Sequence, residues 1–123
     1  MTGVSRTISV TSEQFEALIR DTEIVIVDFW AVWCAPCKQF AQIYERVADL
    51  YEQVVFAKIN IEEEHELAEV FHIRSIPHLM VFKQGIVIYS EAGSMPESTL
   101  KELVQQALDA DVTDIKRQLE KGE

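Results

Sequence analysis

Along this chain, short apolar runs rich in Val, Ile and Phe alternate with stretches whose apolar residues recur every three or four positions. That alternation predicts strands separated by helices. Residues 5–10 alternate modestly and form the first expected strand, after which Thr11 or Ser12 caps a helix carrying Phe15, Leu18 and Ile19 on one face. Asp21, Thr22 and Glu23 make a polar connector. Ile24–Trp30 is apolar on both parities except at Asp28, as expected of a central strand covered on both faces. Phe40, Ile43, Tyr44, Val47 and Leu50 then keep helical spacing, which predicts a long helix over 34–51 with its apolar stripe on the sheet. The next strand is expected over 54–61, completing a strand–helix–strand unit that should be parallel with a right-handed crossover.

Glu62, Glu63, Glu64 and Glu66 are expected at the start of a further helix, where acids suit the dipole, with Leu67, Ala68 and Phe71 as its buried face. The acidic run reads as a solvated helix start; a metal or partner site is the alternative. Residues 73–77 bend the chain into a strand over 79–82, and Lys83-Gln84-Gly85 turns it back into a strand over 86–89, an antiparallel hairpin. Gly93 interrupts the pattern. Pro96 then opens a helix packed through Leu100, Leu103, Val104, Ala107 and Leu108. Val112, Ile115 and Leu119 keep helical spacing behind an Asp111 cap, predicting a short amphipathic extra helix. It is expected to pack back onto its own domain; docking onto a partner or second copy is the alternative. The fold class is α/β, with a mixed five-stranded sheet flanked by four helices plus the short C-terminal one.

With 123 residues, 48% of them hydrophobic and 26% charged, the chain suits one compact domain with a real core. Its formal net charge of −10 argues against general binding to nucleic acid and against attraction to anionic membranes, which both need basic patches. Residues 1–10 hold no apolar core of signal-peptide length, and no later run is long enough to span a bilayer, so the expected compartment is the cytoplasm. Two cysteines do not make a stapled secreted scaffold. In a reducing compartment such a pair is catalytic or metal-binding.

Both cysteines lie in Trp33-Cys34-Ala35-Pro36-Cys37-Lys38, where the apolar run gives way to the helical pattern. Thiols three residues apart at a helix start share one face and can be joined by a disulfide with little backbone movement. Unpartnered N–H groups and the macrodipole favour thiolate at the first of them, which makes Cys34 the candidate nucleophile. Pro36 tolerates that first turn because no N–H partner is lost there. Asp28 is costly to bury in ionised form, so it is a candidate for proton exchange with Cys37 or a structural carboxylate. Trp30 and Trp33 stand close before the pair, as core aromatics or as a wall of the site. His65, His72 and His78 are scattered; a four-ligand zinc site would need two of them to converge on Cys34 and Cys37, and no metal is expected. His78, just after Pro77, is either a surface histidine or close enough to tune the dithiol.

Phe29-Trp30-Ala31-Val32-Trp33-Cys34-Ala35-Pro36-Cys37-Lys38, with Ile76-Pro77 downstream, resembles the active-site segment of the thioredoxin family. The resemblance covers about residues 8–108, giving a thioredoxin-like domain at 1–109 and an extension at 110–123 that is expected to be helical. It implies the thioredoxin fold and a protein-disulfide reductase in electron transport and cell redox homeostasis, with Cys34 and Cys37 as the redox pair. Asp28 matches the family's acidic residue beneath the second cysteine, and Lys58 the lysine that eases its ionisation. Pro77 matches a cis proline facing the dithiol. Val32, Trp33, Ile76, Pro77, Ala92 and Gly93 resemble the groove that accepts an extended substrate segment. No cofactor is expected to bind this chain, and electrons would come from a flavin-dependent reductase using NADPH. The chain is expected to be a monomer or weak dimer.

Two departures bear on tuning. Ala35-Pro36 stands where glycine often precedes the proline, and the spacer influences thiolate stability. Gln42 replaces a proline that kinks the helix in many relatives, so a straighter helix is expected. The alternatives are a disulfide oxidase or isomerase in an oxidising compartment, and a binding or chaperone module whose dithiol is incidental.

Overall fold

The computed structural model describes residues 5–121; Met1–Val4 and Gly122–Glu123, which bear on the expectations for the two termini, lie outside the described residues. In chain order the elements are β1 (Thr7–Ser9), α1 (Ser12–Asp21), β2 (Ile24–Trp30), α2 (Ala35–Ala48) and β3 (Val55–Asn60). They continue with α3 (His65–Val70), β4 (His78–Lys83), β5 (Ile86–Ala92), α4 (Glu97–Asp109) and α5 (Thr113–Glu120). The sheet order is β1-β3-β2-β4-β5. β1, β3 and β2 run parallel, while β4 pairs antiparallel with both β2 and β5.

β2 is central, and its alternating side chains enter two separate cores. Ile24 and Ile26 pack with Phe40, Tyr44 and Val47 of α2 and Leu100 and Val104 of α4. Val25, Val27 and Phe29 face the other way, onto Phe15 of α1 and the half-buried Leu67 and Phe71 at α3. There Phe15 meets Phe71 and Phe82 edge-on, each with ring centroids 5.5 Å away. Burying each such side chain contributes roughly 1.5–3 kcal/mol, which fixes β2 and the chain end that follows it.

The ends of the helices are held by long-range polar contacts. Arg6 Nε donates to the carbonyl of Ala48, the last residue of α2, at 3.2 Å. Lys83, buried at the end of β4, donates from Nζ to the carbonyls of Ala107 (2.7 Å) and Leu108 (3.0 Å), and also to that of Ala110. Three acceptors at and just beyond a helix C-terminus satisfy the cation, and the carbonyls of Leu108 and Ala110 gain a donor while that of Ala107 also takes the N–H of Ala110 at 3.4 Å. Ser12 gives both its N–H and its hydroxyl to Glu64 Oε1.

The structure corrects several boundaries. The first strand is Thr7–Ser9, and α2 ends at Ala48, so Leu50 leaves the apolar stripe and is exposed. Glu62 and Glu63 do not begin a helix: their N–H groups donate to Asn60 Oδ1, a side-chain turn that delays α3 to His65. Asp111 is one residue early for a cap, although its Oδ1 accepts from the N–H of Thr113. Val112 is buried, whereas Ile115 and Leu119 on α5 are exposed. α2 runs without interruption through Gln42.

Candidate active site

Cys34 is the residue immediately before α2, in extended conformation, and its Sγ accepts the N–H of Cys37 at 3.2 Å. Pro36 occupies the first turn without cost, since its position has no intrahelical acceptor. The two cysteines are 5.2 Å apart between Cα atoms and joined as a disulfide. Both are buried, packed with Ala31 against Trp30, Ile61 and Ile76. Around them Val32 and Trp33 are 54% and 63% exposed, an apolar rim that a protein surface can cover. Ala35 and Pro36 are exposed as well, so the turn between the sulfurs faces outward. Trp33 is held in place by donating Nε1–H to Glu62 Oε2 at 2.9 Å.

The loop before β4 closes the other side. The Ile76–Pro77 bond is cis, as the resemblance implied, and the Ile76 carbonyl lies 3.8 Å from Cys34 Sγ. Gly93 donates its N–H to the Pro77 carbonyl at 2.8 Å and takes a φ of +114°, a conformation that favours glycine. Ala92 ends β5 opposite His78 and is exposed. Thus Val32, Trp33, Ile76, Pro77, Ala92 and Gly93 come from three chain segments, with Ile76 packed on the dithiol and Pro77 tied to Gly93.

Asp28 lies on the β2 face that α2 covers, the parity of Ile24 and Ile26, and is fully buried. Among the described residues neither carboxyl oxygen has a hydrogen-bond partner. Burial, opposed by the positive charge of Lys58, pushes its pKa from 3.8 up to about 7. Lys58 pairs in register with Asp28 from β3, and its Nζ sits 5.0 Å over the Trp30 ring.

His78 pairs with Phe29, whose side chain faces the α1 and α3 core, and its ring stands edge-on to Phe29 at 6.3 Å. It therefore lies on the sheet face away from α2, with Nε2 2.8 Å from Ser90 Oγ and its pKa lowered by burial despite Glu91. His65 and His72 are exposed, and among the described residues no group of three His, Cys, Asp or Glu side chains converges as a metal site. No helix among the described residues is long and apolar enough to cross a membrane.

Three polar arrangements here were not expected from the sequence: the Glu62 tether on Trp33, the Lys58 seat on Trp30, and the buried Tyr44 hydroxyl. That hydroxyl lies within hydrogen-bond distance of the carbonyls of Ile26 (2.9 Å) and Ala57 (2.8 Å), tying α2 to both β2 and β3. A tyrosine on an apolar helix stripe, needing a partner when buried, was the available signal for the last.

Comparison with known proteins gives a consistent family. The family described as Thioredoxin matches residues 6–106. The chain is 37% identical to "Putative thioredoxin 2" of Streptomyces coelicolor over 114 residues, 93% of this chain and 85% of that protein. It is 36% identical to "Thioredoxin 1" of Nostoc sp. over 107 residues, 85% of this chain and all of that one. Among solved structures, a thioredoxin of Plasmodium falciparum superposes with a TM-score of 0.75 at 36% identity, covering 81% of this chain and 97% of that one. A mutant thioredoxin of Halobacterium salinarum gives 0.80 at 26% identity, covering 90% and 99%. With a cysteine pair joined at the head of α2 and this fold around it, the chain belongs to the thioredoxin family and is a thiol–disulfide oxidoreductase that reduces protein disulfides.

Proposed function

We propose that Cys34 is the attacking thiol, Cys37 the resolving thiol and Asp28 the group that exchanges a proton with Cys37. The observation that carries this assignment is the N–H of Cys37 donating to Cys34 Sγ at the start of α2. That donor and the helix N-terminus stabilise negative sulfur at Cys34. In the dithiol form the Cys34 thiolate attacks one sulfur of a substrate disulfide, forming a mixed disulfide and expelling the other substrate sulfur as thiolate. Cys37, giving its proton to ionised Asp28, then attacks Cys34 Sγ; the second substrate sulfur leaves and takes up the proton from Asp28, while the first takes from water the equivalent of the proton that Cys34 released on ionising. The substrate gains two electrons and two protons, and the protein is left as the Cys34–Cys37 disulfide. Lys58 favours ionised Asp28 through its positive charge.

Val32, Trp33, Ile76, Pro77, Ala92 and Gly93 form the surface on which an extended substrate segment lies in this reading, with Ala35 and Pro36 setting the stiffness of the turn. Residues 1–109 act as the catalytic domain and 110–123 as an extension. The disulfide form needs an external two-electron donor for turnover, a flavin-dependent reductase using NADPH, and a reducing compartment such as the cytoplasm; the chain works as a monomer or weak dimer. Trapping tests the assignment: Cys37→Ser should accumulate a mixed disulfide through Cys34, and Cys34→Ser should abolish reduction of insulin disulfides. A mixed disulfide through Cys37 in the parent protein would reverse the roles.

A further inference from the structure

Trp30 ends β2 with its indole half-buried and packed against the cluster of Ala31, Cys34 and Cys37. Lys58 Nζ stands over the same ring, 5.0 Å from its centroid. One tryptophan thus touches both the disulfide cluster and the cation assigned to Asp28. Lys58 is only partly buried, and a lysine in that setting ordinarily extends its ammonium into water, where hydration and rotamer freedom are greatest. Among the described residues no ion pair joins it to Asp28, whose oxygens lack hydrogen-bond partners, so the carboxyl is not what holds it. The electron-rich indole face attracts a cation and is the contact that remains.

We propose that Trp30 is a positioning residue for Lys58, its ring seating the ammonium beside Asp28 and against the dithiol cluster instead of releasing it to solvent. This rests on the reading of Asp28 and Lys58 given above. The groups that face Asp28 are few. β3 contributes Lys58, and α2 contributes the Tyr44 phenol, whose pKa is raised by burial and then by the charge of Asp28; Cys34, just before α2, and Cys37 within it are disulfide-bonded and do not titrate. Opposite, β4 places Leu79 in register, and beyond Lys58 β1 places Ser9, neither of them charged. Lys58 is therefore the cation whose distance sets how readily Asp28 ionises, and Trp30 sets that distance. Without the ring the ammonium moves into water, and Asp28 keeps its proton to higher pH.

The test is a titration of the Asp28 side-chain carboxyl by carbon chemical shift in the full-length disulfide form. The variants are Trp30→Leu, Trp30→Phe and Lys58→Met, with each Trp30 substitution also combined with Lys58→Met. Trp30→Leu should weaken the Asp28 acid constant by about threefold or more, Lys58→Met by at least as much, and Trp30→Leu should add nothing once Lys58→Met is present. Trp30→Phe keeps an aromatic face of weaker attraction, and should give a smaller shift that Lys58→Met also removes; it decides the matter if Trp30→Leu does not fold. A Trp30 shift of equal size with and without Lys58→Met would mean that the ring acts through burial alone, and would overturn the inference while leaving the roles of Asp28 and Lys58 intact. No shift in either Trp30 variant, or a strengthened acid, would overturn it too. If Lys58→Met alone left Asp28 unmoved, the underlying reading of Lys58 would fail and this inference with it.

Discussion

Asp28 and Lys83 are the two charged side chains buried among the described residues, one near each end of the β2–β4 ladder, and their surroundings are opposite. Lys83 donates to three carbonyls at the end of α4 and in the segment that follows. Among the described residues Asp28 has no hydrogen-bond partner, and the charge of Lys58 is what offsets its desolvation. A buried charge with every donor used is a joint, fixing where a helix ends. A buried carboxyl left without donors is held close to a change of protonation, which a proton-exchange step requires. The difference separates the end of the sheet that holds the fold from the end that carries the chemistry.

Removing the Asp28 charge should move stability most. Its pKa is raised from 3.8 to about 7 on folding, so the folded state binds this proton more tightly than the unfolded one. The stabilisation present below pH 3.8 is lost as pH rises through about 7. Relative to the parent, Asp28→Asn should therefore gain about 4 kcal/mol between pH 4 and pH 8.5, read from urea unfolding at both pH values. A stability difference independent of pH would remove the contrast with Lys83. Next in size, Lys83→Met should cost about 3 kcal/mol, because the carbonyls of Leu108 and Ala110 lose their donor and that of Ala107 keeps only the N–H of Ala110, and hydrogen exchange over residues 113–120 should accelerate. Asp28→Asn should also slow disulfide reduction about tenfold near neutral pH, with loss confined to release of the mixed disulfide and not its formation, measured by single-turnover kinetics. Smallest, Arg46→Ala breaks a surface ion pair to Glu97 of 2.8 Å and should leave the urea midpoint indistinguishable from that of the parent. A lowered midpoint there would show that surface charges carry weight that the comparison assigns to buried ones.

Much of this arrangement was legible in the chain. Ile24–Trp30 is apolar on both parities and became the central strand, and the start of α2 at the cysteines followed from Pro36 and the apolar spacing. The cis bond before Pro77 came from family resemblance, since sequence alone favours trans. What stayed hidden depends on contacts between distant residues. Nothing local says that Lys83 ends under Ala107 and Leu108, or that Arg6 reaches Ala48 across 42 positions. The late start of α3 was readable in principle, because Asn60 is a turn former, but the acids that follow it suited a helix start equally well. At Lys58, the pairing with Asp28 was implied by resemblance, whereas the seat on Trp30 needed coordinates.

The central claim is that the head of α2 makes Cys34 an acidic sulfur with Cys37 one turn away. The most direct measurement is the rate of Cys34 alkylation in the reduced protein across a pH series, with the labelled cysteine identified by peptide mapping. The account predicts that Cys34 labels first, with a midpoint at least about one unit below the ordinary thiol value of about 8.5. A midpoint at that ordinary value, or preferential labelling of Cys37, would contradict it.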